Sequence, residues 1–197
     1  MSELGLVVVL DGPAQVGRTT TLHALQEAWP RVRTGPLLEA GLEQTLATFG
    51  PTAPRWAQLV LPGSPEADDE AGSPRGHVGF GPLGRELVPA MHRAAAAWAR
   101  GGFDVALDHA LLDRATALDL AAALEGLRVV HVQLTCDPDV LEYRELEAGV
   151  GPPGTAVAQL RVLREGPPSD LELDTTETDT EELVEVILAE VARRLRR

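Results

Sequence analysis

Residues 6–25 read LVVVLDGPAQVGRTTTLHAL, and this stretch decides the fold. Residues 6–10 form a short, β-branched apolar run, which is typical of a strand buried on both faces. Residues 19–29 carry leucines three positions apart and are followed by a proline, a pattern that predicts a helix. A loop with two glycines separates the two segments. The order is therefore strand, glycine loop and helix, as a phosphate-binding loop requires.

The loop follows the phosphate-binding pattern G-x-x-x-x-G-K-[ST] at every fixed place but one. Gly12, Gly17 and Thr19 stand where the pattern needs them, whereas Arg18 replaces the lysine. Glycines let the backbone turn its N–H groups inward, and the helix that follows adds the positive end of its dipole. Thr19 is placed to offer its hydroxyl to Mg²⁺. Arginine keeps the charge of lysine and can hold two phosphate oxygens, but it is bulkier.

These features predict a nucleotide-binding loop that holds the phosphates of ATP. The alternative is a glycine turn that enters a helix bearing a surface arginine. The residues expected to contact the nucleotide are Gly12, Pro13, Ala14, Gln15, Val16, Gly17, Arg18, Thr19 and Thr20.

Composition and charge narrow the class of protein. The chain has 197 residues, which fits one domain with a real core. Its net charge of −13 argues against wrapping a nucleic-acid backbone, although a local cluster of amides and cations can still hold a nucleotide. Cys136 is the only cysteine, so the chain has no internal disulfide. The apolar run at 4–10 is too short for a signal peptide or a membrane span, and we expect a cytoplasmic protein without membrane contact.

Strand and helix patterns alternate along the rest of the chain. Strands are expected at 103–107, 128–134 and 171–173, and helices at 85–100, 113–124, 138–147, 155–164 and from 179–180 onward. A helix at 37–49 and a strand at 58–61 are weaker expectations, and 62–84 is expected to be a long loop or mobile flap. The alternation predicts an α/β fold, a parallel sheet with helices on both faces.

The helix expected at 85–100 has an apolar stripe of large side chains. Leu87, Met91, Ala94 and Trp98 recur along one face, which we expect to be buried in the core.

Several segments in the second half of the chain resemble one family as an ordered set. They are Gly81-Pro82-Leu83, Arg85, Leu87, Met91-His92-Arg93, Val105-Ala106-Leu107-Asp108, the run CDPDVLEYRELEAGVGPPGTAVAQL at 136–160, and DLELDTT at 170–176. Together they resemble the chloramphenicol 3-O-phosphotransferase family over nearly the whole chain, with 50–80 poorly matched. The resemblance implies a single P-loop kinase-like domain over 1–197, with a flexible insert at about 62–84 and a small helical lid at about 138–164. It also implies transfer of the γ-phosphoryl group of ATP, with Mg²⁺, to a hydroxyl group of a small molecule such as an antibiotic.

The resemblance also implies roles for two carboxylates. Family members carry an aspartate in a Gly-Val-Asp segment that acts on the acceptor hydroxyl, and Gly41-Leu42-Glu43 is the nearest match. Glu43 would then orient that hydroxyl and accept its proton, unless it is a surface residue of a helix turn. Asp108 ends a buried strand, at the edge of the sheet where ligand groups gather, and resembles a family carboxylate that faces the metal or the acceptor. The alternative for Asp108 is a turn or helix cap.

The lid is expected to bring a cation to the phosphates. Arg144 is the best candidate, unless it pairs on the surface with Glu142 or Glu147, and Arg161 and Arg164 are weaker ones. The run Asp174-Thr175-Thr176 resembles a loop near the adenine end, although a turn or cap is equally compatible.

Three of the five histidines are not expected to take part in the chemistry. His109 stands where the family often has a second aspartate, but it is expected to be an exposed turn residue. His23 and His131 are expected to be structural.

Two departures from the family pattern leave alternatives open. The loop lysine is Arg18, and the family's Gly-Asp-Arg in the lid reads Gly149-Val150-Gly151. An arginine that stabilises the charge of the transferring phosphoryl group is worth ~10³-fold or more in rate. Its loss therefore leaves either a slow enzyme or one that recruits Arg161 or Arg164 instead. The leading hypothesis is an ATP- and Mg²⁺-dependent phosphotransferase. The alternatives are a nucleotide-binding protein with little turnover, and a kinase for nucleosides or other primary metabolites.

Overall fold

The computed structural model describes residues 4–29, 33–35, 60–61, 79–80, 82–149, 154–163 and 168–196. Four expectations fall wholly or mostly outside these ranges. They concern Glu43, Arg164, the helix at 37–49 and the loop at 62–84.

Five parallel strands form the main sheet. In chain order the strands of the structure are β1 (Leu6–Asp11), β2 (Arg33–Gly35), β3 (Val60–Leu61), β4 (Gly79–Phe80), β5 (Val105–Asp108), β6 (Arg128–Thr135) and β7 (Leu171–Asp174). The sheet order is β2-β5-β1-β6-β7, and β3 pairs with β4 in a separate antiparallel ribbon. Every residue of β1 is buried because this strand has a neighbour on each side and helices on each face.

Helices follow the strands in alternation. They are α1 (Arg18–Ala28), α2 (Pro82–Arg100), α3 (Arg114–Ala123), α4 (Pro138–Ala148), α5 (Thr155–Leu163) and α6 (Thr180–Leu195). Aspartates cap three of them: Asp113, Asp137 and Asp179 each accept a hydrogen bond from a backbone N–H in the first turn. These caps fix where α3, α4 and α6 begin, close to the starts that the sequence predicts.

The core has two parts, one on each face of the sheet. Leu6, Val8 and Leu10 of β1 belong to a buried cluster with side chains of α1, α4, α5 and α6. Val7 and Val9 point the other way, into a cluster with α2 and α3. The expected parallel sheet with helices on both faces is confirmed.

Helix α2 differs from its expectation at both its start and its buried face. It begins at Pro82, within the segment expected to be a loop. Trp98 is 42% exposed and Met91 is half-buried, so the expected core face is wrong. The physical reason is that small side chains bring the helix close to its neighbours, and a hydrogen-bonded histidine is buried with them. The buried residues of α2 include Val88, His92, Ala95, Ala96 and Ala99.

Among the described helices, none combines the length and the apolar character that crossing a lipid bilayer requires.

Candidate nucleotide site at the end of the central strand

The loop between β1 and α1 has a backbone that needs its glycines. A Cβ atom at Gly12 would lie 2.8 Å from the carbonyl oxygen of Leu134, so only glycine fits there. Gly17 has φ +98° and stands directly before α1, where it sets the direction in which the helix starts. Gln15 also has a positive φ, of 60°. The loop is therefore folded tightly over the end of β1.

A cleft of about 430 Å³ lies over this loop. One wall is the loop itself with the first turn of α1, and the opposite wall is formed by Arg144 of α4 together with the segment between β7 and α6. The lining residues from that segment and from α6 are Thr175, Thr178, Thr180 and Leu183. The cleft opens at the carboxyl end of the parallel strands, the edge at which α/β proteins bind ligands.

Arg18 does not extend along the loop in the way expected for a phosphate-holding cation. Its side chain is only 7% exposed, and Nε lies 2.8 Å from Oδ1 of Asp108. Nη1 donates a hydrogen bond to the carbonyl oxygen of Gly12. The guanidinium is therefore folded beneath the loop, where it joins the loop to the end of β5.

Asp108 connects the strand end to α1. It pairs in register with Leu10 of β1, and its side chain is buried. The hydroxyl of Thr19 donates to Oδ2 over 2.6 Å, so the residue expected to bind Mg²⁺ and the expected carboxylate are in direct contact. Oδ1 has no hydrogen-bond partner among the residues that the structure describes, apart from its ion-pair contact with Arg18.

Asp11 is a second buried carboxylate of the site, and sequence analysis gave it no role. Its Oδ1 accepts hydrogen bonds from the backbone N–H of Gly12 over 2.8 Å and of Leu111 over 3.0 Å. It therefore ties the start of the loop to the segment after β5. The only sequence signal was its place directly before the glycine.

The side-chain oxygen atoms of Thr19 and Asp108 suit Mg²⁺, which binds one or two protein oxygens and completes its coordination shell with phosphates and water. A cage of three or more His, Cys, Asp or Glu side chains is not found in the described ranges. Thr19, with Asp108 beside it, fits a metal that arrives with a nucleotide better than a metal held by the protein alone.

Arg144 lies on the far wall of the cleft. Nη1 donates to Oγ1 of Thr175 over 3.2 Å, and Nη2 donates to the backbone oxygen of Thr175 over 2.8 Å. These contacts direct the guanidinium toward the cleft wall and not toward the surface glutamates of its own helix. Asp174 accepts a hydrogen bond from the N–H of Thr176, and hydrogen bonds from Thr176 hold the pKa of the Asp174 carboxyl below its usual value. The run at 174–176 is thus both a turn and part of the cleft.

A buried pair of histidines adjoins Asp108. His109 is 2% exposed, contrary to the expectation of an exposed turn residue, and its Nε2 lies 2.9 Å from Nε2 of His92. The other ring nitrogen of His92 lies 2.6 Å from Oδ2 of Asp119. Burial lowers the pKa of His92 and lowers that of His109 well below its usual value. No spacing pattern indicates this cluster, because its members come from α2, α3 and the end of β5.

The strand order, and a glycine loop between the central strand and the helix that follows it, define a P-loop kinase-like protein. Residues 5–192 match the family described as chloramphenicol phosphotransferase-like protein, and the chain belongs to that family. The family that the sequence resembles is thus confirmed. No curated protein matches the chain by sequence.

Solved structures share the fold along nearly the whole chain. The tunicamycin resistance protein of Deinococcus radiodurans aligns with a TM-score of 0.64 and 23% identity, covering 95% of both chains. The APS kinase of Mycobacterium tuberculosis aligns with a TM-score of 0.60 and 15% identity, over 96% of this chain and 98% of the other. The shikimate kinase of Acinetobacter baumannii aligns with a TM-score of 0.58 and 16% identity, over 98% and 95%. Family and fold are those of small-molecule kinases.

Proposed function

We propose that this protein transfers the γ-phosphoryl group of ATP to a hydroxyl group of a small molecule such as an antibiotic. The observation that carries the proposal is the glycine loop between β1 and α1, which lines a cleft of about 430 Å³. Its backbone amides and the N-terminus of α1 provide a positive potential that suits a polyphosphate. The match to a phosphotransferase-like family supports the reaction type.

The two arginines of the cleft would hold the nucleotide from opposite sides. Arg144 lines the wall opposite the loop, where it is positioned to contact the nucleotide directly. Arg18 would exchange Asp108 for phosphate oxygens, because a phosphate offers the guanidinium two acceptors and a larger negative charge. Phosphoryl transfer relies mainly on this kind of positioning and charge stabilisation.

The carboxylate of Asp108 would act on the acceptor hydroxyl. Release from Arg18 leaves a buried carboxylate beside Thr19, able to orient a hydroxyl group and accept its proton. Mg²⁺ bound at Thr19 would neutralise phosphate charge. Glu43, outside the described residues, is the second candidate for the base.

The test is transfer of label from γ-³²P-ATP with Mg²⁺ to a panel of hydroxylated compounds, with chloramphenicol, tunicamycin and nucleosides included. We expect a labelled product with at least one acceptor, and its loss in Asp108→Asn or Glu43→Gln, whichever residue is the base. Asp104→Asn, at the residue directly before the first residue of the same strand, is the control.

Binding of ATP without transfer or hydrolysis would instead support a nucleotide-binding protein with little turnover. Failure to bind ATP would overturn the proposal. Thermal shift with ATP, with and without Mg²⁺, separates these outcomes before any acceptor is known.

A further inference from the structure

The phosphate loop contains one residue whose backbone conformation needs support from outside the loop. Gln15 has φ +60°, the left-handed region that residues with a side chain rarely adopt. Such a conformation persists only where surrounding contacts hold it. The residue before it, Ala14, donates its N–H to Oε1 of Gln159 over 2.6 Å, and this is a contact between the loop and α5.

Gln159 is itself held in place by its helix. It is buried, and the N-terminus of α5 is fixed by the buried carboxylate of Glu145 on α4. Oε2 of Glu145 accepts from the N–H of Gly154 over 2.6 Å, and Oε1 accepts from the N–H of Ala156 over 2.9 Å. At the other end of α5, the side-chain amide of Gln133 donates to the carbonyl oxygen of Leu163 over 3.1 Å. The helix is therefore anchored at both ends.

We infer that Gln159 is a positioning residue of the phosphate loop: its side-chain oxygen holds the Ala14 amide and so keeps Gln15 in the conformation in which the loop lines the cleft. Gln159 does not line the cleft, so it acts through the loop and not on the ligand. The Ala14 N–H is partly buried, and a partly buried donor whose acceptor is removed carries a desolvation penalty, which drives the peptide to turn toward another acceptor. The turned loop no longer presents the same amides to a phosphate. This role rests on the proposed nucleotide site.

Four variants isolate the contact. Gln159→Met keeps the length of the side chain but removes the acceptor, whereas Gln159→Glu keeps an acceptor oxygen. Gln15→Gly makes the contact with Gln159 unnecessary, because glycine adopts a positive φ freely and needs no outside contact to hold it. Gln133→Met is the matched control, since it removes a side-chain hydrogen bond from the far end of the same helix, and no loop residue takes part in that bond.

The experiment measures hydrogen exchange at the Ala14 amide by NMR, and the Kd of Mg-ATP by calorimetry. We expect Gln159→Met to speed exchange at Ala14 and to raise the Kd, each about tenfold. Gln159→Glu and Gln133→Met should leave the exchange rate within about threefold of the unaltered protein. In the Gln15→Gly background, Gln159→Met should raise the Kd by less than about threefold.

Unchanged exchange at Ala14 in Gln159→Met would overturn the inference, as would an equal effect of Gln133→Met, which would show general loosening of α5. The exchange measurement needs no ligand. If the unaltered protein binds no ATP, the proposed function fails, while the rate at Ala14 still decides whether Gln159 holds the loop.

Discussion

The guanidinium of Arg18 and the carboxylate of Asp108 form a buried ion pair, with Nε lying 2.8 Å from Oδ1. The two side chains are 7% and 1% exposed, so water screens the pair little. The cation that the loop offers in place of lysine is thus neutralised by a carboxylate of the protein itself. In the proposed function, nucleotide binding would therefore be an exchange of partners, and its free energy would include the separation of the pair.

Asp108→Asn should make the protein less stable but more responsive to ATP. Removing one partner of a buried pair leaves the other charge uncompensated, which typically costs about 3–5 kcal/mol. A bound triphosphate would supply the missing negative charge, so the ATP-induced rise in Tm should be larger than in the unaltered protein. Thermal shift with and without Mg-ATP measures both effects. If the ATP-induced rise in Tm is no larger in Asp108→Asn than in Asp104→Asn, the result would count against an exchange of Asp108 for phosphate at Arg18.

Arg18→Lys should weaken both folding and turnover. A lysine ammonium carries the charge at a single point, whereas Arg18 contacts Asp108 through Nε and Gly12 through Nη1. We expect a loss of about 1–2 kcal/mol in the free energy of unfolding, measured in urea. We also expect a fall in transfer rate under saturating ATP. A large gain in turnover would show instead that arginine at this place reflects lost catalysis.

The parts of the fold that the sequence predicts well are those specified by local patterns. The strand, loop and helix at 6–25 were predicted because apolar runs, glycines and helix periodicity lie within one short stretch. Helix α6 was predicted equally well, since Asp179 caps its start and Leu183 and Ile187 mark its buried face. Gly12 and Gly17 stand in the loop as expected, and Gly17 lines the cleft, whereas Gly12 is not among its lining residues.

The parts that were missed depend on contacts between distant residues. The direction of the Arg18 side chain is set by Asp108, which lies at the end of strand β5, far away in the sequence. The buried face of α2 was assigned to its large apolar side chains, and nothing was predicted for the burial of His92, whose two ring nitrogens contact His109 and Asp119. Such partners become visible only when the topology brings β5, α2 and α3 together.

The buried histidines should make the free energy of unfolding depend on pH. In the unfolded chain their pKa values are about 6.5, and in the folded protein burial lowers both. Electrostatic repulsion from His92, Arg18 and His131 lowers the pKa of His109 further, whereas the hydrogen bond that His92 Nδ1 donates to Asp119 opposes the lowering of the pKa of His92. Below pH 6.5 the unfolded chain therefore binds protons that the folded protein does not. Stability is complete above that pH and falls as the pH decreases.

Thermal denaturation between pH 8 and 5 measures this effect. We expect a nearly constant Tm above pH 7. Below pH 6.5 we expect the free energy of unfolding to fall by up to about 1.4 kcal/mol per histidine for each pH unit. The double variant His92→Gln/His109→Gln should flatten the acid limb, whereas His23→Gln, on the exposed side of α1, should not change it. An acid limb of equal slope in the double variant would assign the pH dependence to other groups.

Arg144→Ala should weaken nucleotide binding, at a modest cost in folding stability from two lost hydrogen bonds. Arg144 lines the cleft and donates two hydrogen bonds to Thr175, so its removal takes a cation from the wall opposite the loop. Hydrogen bonds to charged groups contribute about 1.5–3 kcal/mol, which corresponds to a rise of about tenfold or more in the Kd of Mg-ATP. Arg193→Ala is the matched control, because it removes the same charge from the exposed end of α6, where Arg193 pairs with Glu190. Calorimetry at two salt concentrations separates a local contact from the effect of net charge. An equal loss of affinity in both variants would show that Arg144 acts only through the overall charge.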